Sequence, residues 1–181
     1  EEKILFSAFA QILGQQDQQK DAEQLILILA PRDINRGQEL VALAASFGLQ
    51  AGLRSREENQ GKALILDTLG ELADCYGQAD CAFVGGSLVS QGGHNPIEPA
   101  IHGVPVLFGP HMEDFSEIAQ ELLDCGGGKE VSEASLRETL RLLLEEKEER
   151  TKMGQAAHAL VERHRGGVQR HVQVINELLH H

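Results

Sequence analysis

The chain has 181 residues, enough for one domain with a substantial hydrophobic core. Hydrophobic residues make up 41% of it and charged residues 24%, as in ordinary globular proteins, and no apolar run approaches the roughly 18 residues of a transmembrane helix. The net charge of −12 argues against a nucleic-acid-binding surface, although a few local groups can still bind an anionic small ligand. The odd number of cysteines and the absence of a CxxC pair fit a reduced, cytoplasmic protein with buried thiols.

Apolar spacing predicts the elements of the first half of the chain. The segment Leu25–Ala30 is apolar throughout, which is typical of a strand buried on both faces of a parallel sheet. Asp67 and Thr68 are residues that cap helices, so a helix should follow them. In chain order we predict a helix over Ile4–Leu13, a strand over Leu25–Ala30, a helix over Gln38–Phe47, a weak strand over Gln50–Arg54, a strand over Ala63–Leu66 and a helix over Leu69–Gln78.

The second half continues the alternation of strands and helices. We predict strands over Cys81–Val84, Val104–Phe108 and Lys129–Val131, and helices over Pro96–His102, Phe115–Leu123, Glu133–Leu144, Lys152–His164 and Val168–Leu179. Alternating strands and helices indicate an α/β fold with a parallel sheet covered on both faces, and right-handed crossovers make it a Rossmann-like, doubly wound sheet. We therefore expect a single domain over residues 1–181, closed by final helices within residues 133–179.

In such a sheet, ligands bind beyond the carboxyl ends of the strands, so the residues that follow each strand are informative. Pro31 and Arg32 follow the first strand, and a guanidinium at a strand end can bind a phosphate or carboxylate. An ordinary surface pair between Arg32 and Asp33 is an equally good interpretation. The helix predicted after Asp67 would offer free N–H groups to an anion, although a plain helix cap explains the same residues.

The segment Gly85–Pro99 (GGSLVSQGGHNPIEP) carries the most specific signal. Its first nine residues contain four glycines, which allow a backbone to approach a ligand closely. His94 and Asn95 then precede a helix that begins at Pro96 and whose N–H groups can face a phosphate. The Glu98 carboxylate, in the first turn of that helix, can accept hydrogen bonds from ribose hydroxyls. A long surface loop with an ordinary cap is the alternative. His111, which follows the Val104–Phe108 strand, either lines a sugar site or caps the next helix.

A metal site is not expected. His94, His102 and His111 are eight and nine residues apart, unlike the closely spaced pairs of helix-borne zinc sites. The GxSxG pattern of a nucleophile elbow is also absent.

The four segments, in this order, resemble the C-terminal half of the 3-deoxy-D-manno-octulosonic acid (Kdo) transferases. The resemblance covers essentially the whole chain, is weaker beyond about Gly128, and rests on these segments: Ala30-Pro31-Arg32, Asp67–Leu72, Phe83–Val89 (FVGGSLV), Gly92–Pro99 (GGHNPIEP) and Pro105–His111. It implies the C-terminal half of a GT-B glycosyltransferase, in which two Rossmann-like domains face each other across a cleft. Such enzymes transfer Kdo from CMP-Kdo to a lipid A precursor, lipid IVA, in lipopolysaccharide synthesis.

The resemblance also implies which residues bind the donor. The CMP contacts fall on Pro31, Arg32, Leu69, Gly70, Glu71, Asn95, Pro96, Ile97 and Glu98. Residues expected to line the sugar site are Gly86, Ser87, His94 and His111. One position departs from the family pattern, because Asp33 stands where the family commonly has histidine. An acid that faced a phosphate would repel it, so we expect the Asp33 carboxylate to point away.

The family's general base, a glutamate, and its membrane-anchoring segment belong to an N-terminal domain that is not in this sequence. We therefore expect no catalytic residue in this chain, no transferase activity from it alone, and contact with the lipid acceptor and the inner membrane only through that domain. CMP carries a single phosphate, so no cofactor or metal is expected, and neither is a nucleic-acid partner. Two alternatives remain: a GT-B donor domain for a UDP-sugar, and a non-catalytic nucleotide-binding module.

Overall fold

The computed structural model describes the backbone of residues 1–16, 25–58 and 61–179, with side chains as far as Arg165. The helices are α1 Glu2–Gln16, α2 Gly37–Ser46, α3 Leu72–Tyr76, α4 Ile97–Ile101, α5 Ser116–Cys125, α6 Glu133–Glu145 and α7 Lys147–Leu179. The strands are β1 Leu27–Leu29, β2 Ala51–Leu53, β3 Ala63–Ile65, β4 Ala82–Val84, β5 Val106–Phe108 and β6 Gly128–Glu130. Short 3₁₀ turns cover Ile34–Arg36, Arg54–Arg56 and Glu113–Phe115.

The chain divides into two compact units. Unit 1 comprises Glu1–Gln78 and Glu133–Arg141, and unit 2 comprises Ala79–Ser132 and Leu142–His181. Each unit contains a parallel sheet, with strand order β1-β3-β2 in unit 1 and β4-β5-β6 in unit 2. The predicted parallel α/β architecture is confirmed, and the single-domain boundary stays a prediction.

The core of unit 1 lies between one face of its sheet and the first two helices. Helix α1 contributes Phe6 and Phe9, and α2 contributes Leu40 and Ala44, at the spacing of one helical face. These side chains pack with Leu29, Leu53 and Ile65 from the three strands. The sheet therefore packs on α1 and α2 through its face, and loops follow the ends of its strands.

The core of unit 2 surrounds its central strand. All three residues of β5 are buried, because this strand lies between β4 and β6 and packs against helices. Helices α5 and α7 supply Ala119, Leu122, Ala157 and Leu160 to the same cluster. Gly154 of α7 approaches the backbone of Gly103 so closely that an added Cβ would lie 2.0 Å from the Gly103 carbonyl oxygen. Glycine at this position lets α7 pack against the turn after α4.

Three local predictions were wrong. The first strand is not buried on both faces, since it is an edge strand and Ile26 and Ile28 are 52% and 40% exposed. The helix predicted over Leu69–Gln78 is only Leu72–Tyr76, because Gly70 adopts a positive φ of 87° that a helix cannot contain. The last two predicted helices are one helix, Lys147–Leu179, because a glycine pair weakens a helix but, unlike proline, removes no hydrogen bond from it.

Candidate functional site

The carboxyl edge of the unit 1 sheet carries the first group of predicted site residues. Strands β1, β3 and β2 run parallel and in register, so the residues that follow them emerge at the same edge. Arg32 follows β1, the loop 67–71 follows the central strand β3, and Arg54 follows β2. This edge thus presents two arginines on either side of a loop that contains a glycine with positive φ.

The turn after β1 leaves Arg32 available. Its side chain is exposed and makes no hydrogen bond or ion pair within the part of the chain that the structure describes. Asp33 does not pair with it. The Asp33 Oδ1 atom instead accepts hydrogen bonds from the backbone N–H of Asn35 at 3.0 Å and from its side-chain amide at 2.9 Å. Asp33 therefore caps the 3₁₀ turn at Ile34–Arg36, and the alternative of an Arg32–Asp33 surface pair is not observed.

The loop from Thr68 to Glu71 is held in place by the carboxylate of its last residue, Glu71. Glu71 Oε1 accepts hydrogen bonds from Arg54 Nε at 3.0 Å and from Arg54 Nη2 at 2.7 Å, while Thr68 donates its hydroxyl to Oε2. The Thr68 hydroxyl and the Arg54 guanidinium hold the pKa of Glu71 below its usual range. Between these bonded residues, Leu69 projects with 81% of its surface exposed. The predicted contact residues Leu69 and Gly70 are thus accessible, while the Glu71 carboxylate is engaged within the protein.

Asp67 does not cap a helix, contrary to the sequence prediction. Its carboxylate accepts hydrogen bonds from the backbone N–H of Ser55 at 2.8 Å and from the Ser55 hydroxyl at 2.6 Å. Burial raises the pKa of this carboxyl group, but the bonds from Ser55, a bond from its own backbone and the charge of Arg56 together lower it. Asp67 therefore ties the end of β3 to the end of β2, and α3 begins only at Leu72.

The carboxyl edge of the unit 2 sheet carries the second group of predicted site residues, and its loops are joined mainly through the backbone. Gly93 N–H donates to the Gly86 carbonyl at 3.0 Å, and His94 N–H donates to the Gly85 carbonyl at 2.9 Å. The loop that follows β4 therefore doubles back on itself before α4 begins. Gly93 has a φ of 75°, and an added Cβ would lie 2.4 Å from the Met112 sulfur, so glycine is required there.

Ser87 lies at the centre of this loop system. Its side chain is 0% exposed, and its hydroxyl donates to the Val84 carbonyl at 2.5 Å while accepting the N–H of Gly109 at 2.8 Å. Its carbonyl accepts the N–H of His111 at 2.9 Å. Ser87 thus joins the loops after β4 and β5. The prediction that it lines a sugar site stays a prediction, and these bonds give the hydroxyl a structural role.

The Asn95–Glu98 segment forms the turn into α4. Asn95 Oδ1 accepts the N–H of Ile97 at 3.0 Å, and its amide donates to Glu98 Oε1 at 3.3 Å. Pro96 is buried, whereas Glu98 is exposed in the first turn of α4. The asparagine side chain therefore fixes both the start of the helix and one oxygen of the Glu98 carboxylate.

The two histidines predicted at the sugar site differ in their surroundings. His94 is half-buried beside Gly86. His111 Nδ1 lies 3.2 Å from Glu113 Oε1. Hydrogen bonds from its own backbone N–H and from His111 lower the pKa of Glu113. Both histidines belong to the unit 2 edge, one after β4 and one after β5.

Three further features of the described part of the chain concern metal sites, reactive thiols and membrane-spanning helices. Within residues 1–16, 25–58 and 61–165, no group of three His, Cys, Asp or Glu side chains is arranged to hold a metal ion. The three cysteines are free and partly buried, and burial raises the pKa of the Cys81 thiol to about 12, which makes it a poor nucleophile. Among the helices of the described part, none is both long and apolar enough to cross a membrane.

Sequence reasoning did not identify Arg54 and Ser55 as parts of the unit 1 edge. The signal was present, because Arg54 is the last residue of the weak strand predicted over Gln50–Arg54 and Ser55 follows it, so both are expected at a strand end. What the sequence did not reveal is that their partners would be Glu71 and Asp67, since the strand order that brings β2 beside β3 is a tertiary property.

Comparisons with known proteins agree with one another. The chain is 38% identical over 160 residues to the 3-deoxy-D-manno-octulosonic acid transferase of Haemophilus influenzae, covering 86% of this chain and 38% of that protein. It is 40% identical over 129 residues to the Chlamydophila psittaci transferase of the same name, covering 70% of this chain and 30% of that protein. The Aquifex aeolicus transferase is 33% identical over 150 residues, covering 82% and 40% respectively. No protein-family model matches the sequence.

A solved structure shows the same fold. The C-terminal CMP-Kdo binding domain of WaaA from Acinetobacter baumannii is 28% identical to this chain and matches it with a TM-score of 0.72. The match covers 85% of this chain and 83% of that one. The chain therefore matches a C-terminal domain nearly in full, although it spans only 30% to 40% of the curated relatives.

Proposed function

The chain belongs to the Kdo transferase family, whose C-terminal domain it matches, and we propose that it is the donor-binding domain of such a glycosyltransferase. The donor is CMP-Kdo, and the relation to a CMP-Kdo binding domain over 85% of the chain carries this proposal. The strand-end residues support it, since both units place polar side chains at the carboxyl edges of their sheets.

Each group of strand-end residues has a role in binding the donor. Arg32 is exposed and without a partner in the described part of the chain, so its guanidinium is available to the CMP phosphate. The exposed residues Leu69 and Gly70 contact the nucleotide. Glu98, one of whose oxygens is oriented by Asn95, accepts hydrogen bonds from the ribose hydroxyls.

The reaction proposed for the whole enzyme is a displacement at the anomeric carbon of Kdo. A hydroxyl of the lipid A precursor lipid IVA forms the new C–O bond, and the bond from that carbon to the CMP phosphate oxygen breaks. A glutamate outside this chain accepts the hydroxyl proton, and CMP leaves with its charge stabilised by Arg32 and by backbone N–H groups. The enzyme acts at the cytoplasmic face of the inner membrane, and the reaction uses no metal or other cofactor.

Nucleotide preference tests the donor assignment. Isothermal titration of the chain with CMP and with UDP should give clear binding of CMP and weaker binding of UDP. Preference for UDP would instead support a donor domain for a UDP-sugar. If the chain binds CMP but the full-length protein that contains it transfers no Kdo, the chain is a non-catalytic nucleotide-binding module.

Two substitutions test the proposed contacts. Arg32→Ala and Glu98→Ala, made in the full-length enzyme, should each weaken donor binding by about 1.5–3 kcal/mol, the value of a charge-assisted hydrogen bond, or roughly tenfold to a hundredfold. Lys62→Ala is the matched control, because Lys62 precedes β3 and therefore lies at the amino end of the unit 1 sheet. Normal donor affinity in both variants would place the site elsewhere.

A further inference from the structure

Arg54 makes a close ion pair that the donor-binding proposal does not use. Its guanidinium donates twice to one oxygen of Glu71, at 3.0 and 2.7 Å, and the two side chains are 38% and 35% exposed. The pair joins residues 17 positions apart, the first after β2 and the second at the start of α3. It is therefore a tertiary contact rather than a local one.

The pair spans the loop that carries the accessible nucleotide-contact residues. Thr68 bonds the other oxygen of Glu71, so the carboxylate closes the four-residue loop from Thr68 to Glu71 upon itself. Inside that loop Gly70 has a φ of 87°, and nothing lies within 4 Å of where its Cβ would be. Leu69 is 81% exposed. The loop has little packing of its own to fix it, so its conformation depends on the Glu71 carboxylate and on Arg54.

The pair also controls the charge of the edge. An unpaired Glu71 carboxylate would repel an approaching phosphate, whereas a carboxylate paired with a guanidinium does not. Lys would supply the charge at this position but not the two parallel N–H groups that a guanidinium offers.

We propose that Arg54 is a positioning residue for the donor nucleotide: it acts through Glu71 to hold the loop Thr68–Glu71 in the conformation that receives the nucleotide. This inference rests on the proposed function, because it assigns a role within the same donor site. Arg54 is not itself required to touch the ligand.

A double-mutant cycle tests this role. The dissociation constant for CMP is measured by isothermal titration for the unaltered chain, Arg54→Gln, Glu71→Gln and the double variant. Arg54→Gln should weaken binding about tenfold, and the double variant should bind no worse than the weaker single variant, because both changes break the same contact. Arg54→Lys, which keeps the charge but not the fork, should recover part of the loss. Arg56→Gln, at an exposed neighbouring arginine, is the control and should bind normally.

The outcomes separate the two proposals. If the affinity losses of the two single variants multiply in the double variant, Arg54 contacts the nucleotide independently of Glu71. If Arg54→Gln binds CMP with unchanged affinity, Arg54 has no role in binding. Either result overturns the inference. Failure of the unaltered chain to bind CMP contradicts the proposed function itself, and the inference falls with it. Thermal unfolding followed by circular dichroism checks that each variant is folded. If Arg54→Gln is not folded, the dissociation constants for CMP of Arg54→Lys and Arg56→Lys are compared instead. Weaker binding by Arg54→Lys supports the inference, and equal binding by the two variants overturns it.

Discussion

In unit 1, charged side chains hold the loops that follow the strands, whereas in unit 2 backbone hydrogen bonds and close glycine packing do so. Arg54 binds Glu71, and Ser55 binds the carboxylate of Asp67. In unit 2 the corresponding bonds run between backbone groups of Gly85–His94, and the central side chain, Ser87, is uncharged and fully buried.

The difference follows from exposure. The unit 1 loops are short and partly exposed, so they have few neighbours and rely on directed ionic contacts. The long unit 2 loop folds back on itself and buries Gly93 and Ser87, where a charge would be costly. The unit 2 edge should therefore be sensitive to added volume, and the unit 1 edge to changes in charge.

The largest effect is expected from Gly109→Ala in unit 2. An added Cβ at this position would lie 2.2 Å from the Ser87 carbonyl oxygen and 2.6 Å from the Leu88 backbone nitrogen. Backbone atoms cannot move aside cheaply, so the loops after β4 and β5 must separate. We expect the free energy of unfolding, measured by urea denaturation, to fall by about 3 kcal/mol.

Gly126→Ala is the matched control in the same unit. Gly126 has a φ of 73° but nothing within 4 Å of its Cβ position, so alanine there costs only backbone strain, about 1 kcal/mol. If Gly109→Ala lost no more stability than Gly126→Ala, close packing would not be what holds the unit 2 edge.

Ser87→Ala should have a smaller effect on the same edge. The substitution removes the hydroxyl that accepts the buried Gly109 N–H and donates to the Val84 carbonyl. Leaving these buried groups unpaired should lower the free energy of unfolding by about 2 kcal/mol. Ser90→Ala, at an exposed position of the same loop, should change it by less than about 0.5 kcal/mol. Equal losses in the two variants would contradict the structural role of Ser87.

Much of the fold was predictable because the spacing of apolar residues, and the glycines and prolines that end helices and strands, were clear in the sequence. The helix at Gly37–Ser46 and the strands at Ala63–Ile65 and Val106–Phe108 lie where apolar spacing predicted them. The prediction that Ile28 would be buried failed because a run of apolar residues does not reveal whether its strand is central or at an edge. The predicted length of α3 was wrong for a related reason, since helix propensity alone does not show that Gly70 takes a positive φ.

The candidate site was predictable where a residue follows its own strand, and unpredictable where its partner follows another strand. Arg32 and Glu98 emerge where the sequence predicted them. The sequence predicted that Asp67 caps a helix, because aspartate is a common capping residue and Asp67 stands just before the predicted helix. Only the pairing of β2 with β3 brings Ser55 to the Asp67 carboxylate, and this pairing depends on contacts that no local pattern encodes.

The smallest effect, a dependence of stability on pH, is expected in unit 1 from Asp67→Asn. The pKa of Asp67 is lowered from 3.8 in the folded protein, because the Ser55 hydrogen bonds, a bond from its own backbone and the charge of Arg56 together outweigh burial. A carboxyl group whose pKa is lower in the folded state binds fewer protons there. It stabilises the fold fully above about pH 5, and this contribution is lost as the pH falls below 3.8 through the folded pKa.

Urea denaturation between pH 6 and the lowest pH at which the protein stays folded measures this contribution. The unaltered chain should be more stable than Asp67→Asn at pH 6, and the difference should shrink as the pH falls, because a protonated Asp67 has no charge for Ser55 to stabilise. Asp74→Asn, at an exposed aspartate of α3 without a bond in the described part of the chain, should show no such convergence. A difference between the unaltered chain and Asp67→Asn that stays constant with pH would mean that Asp67 holds Ser55 by hydrogen-bond geometry alone, and the ionic character attributed to the unit 1 edge would then rest on Arg54 and Glu71.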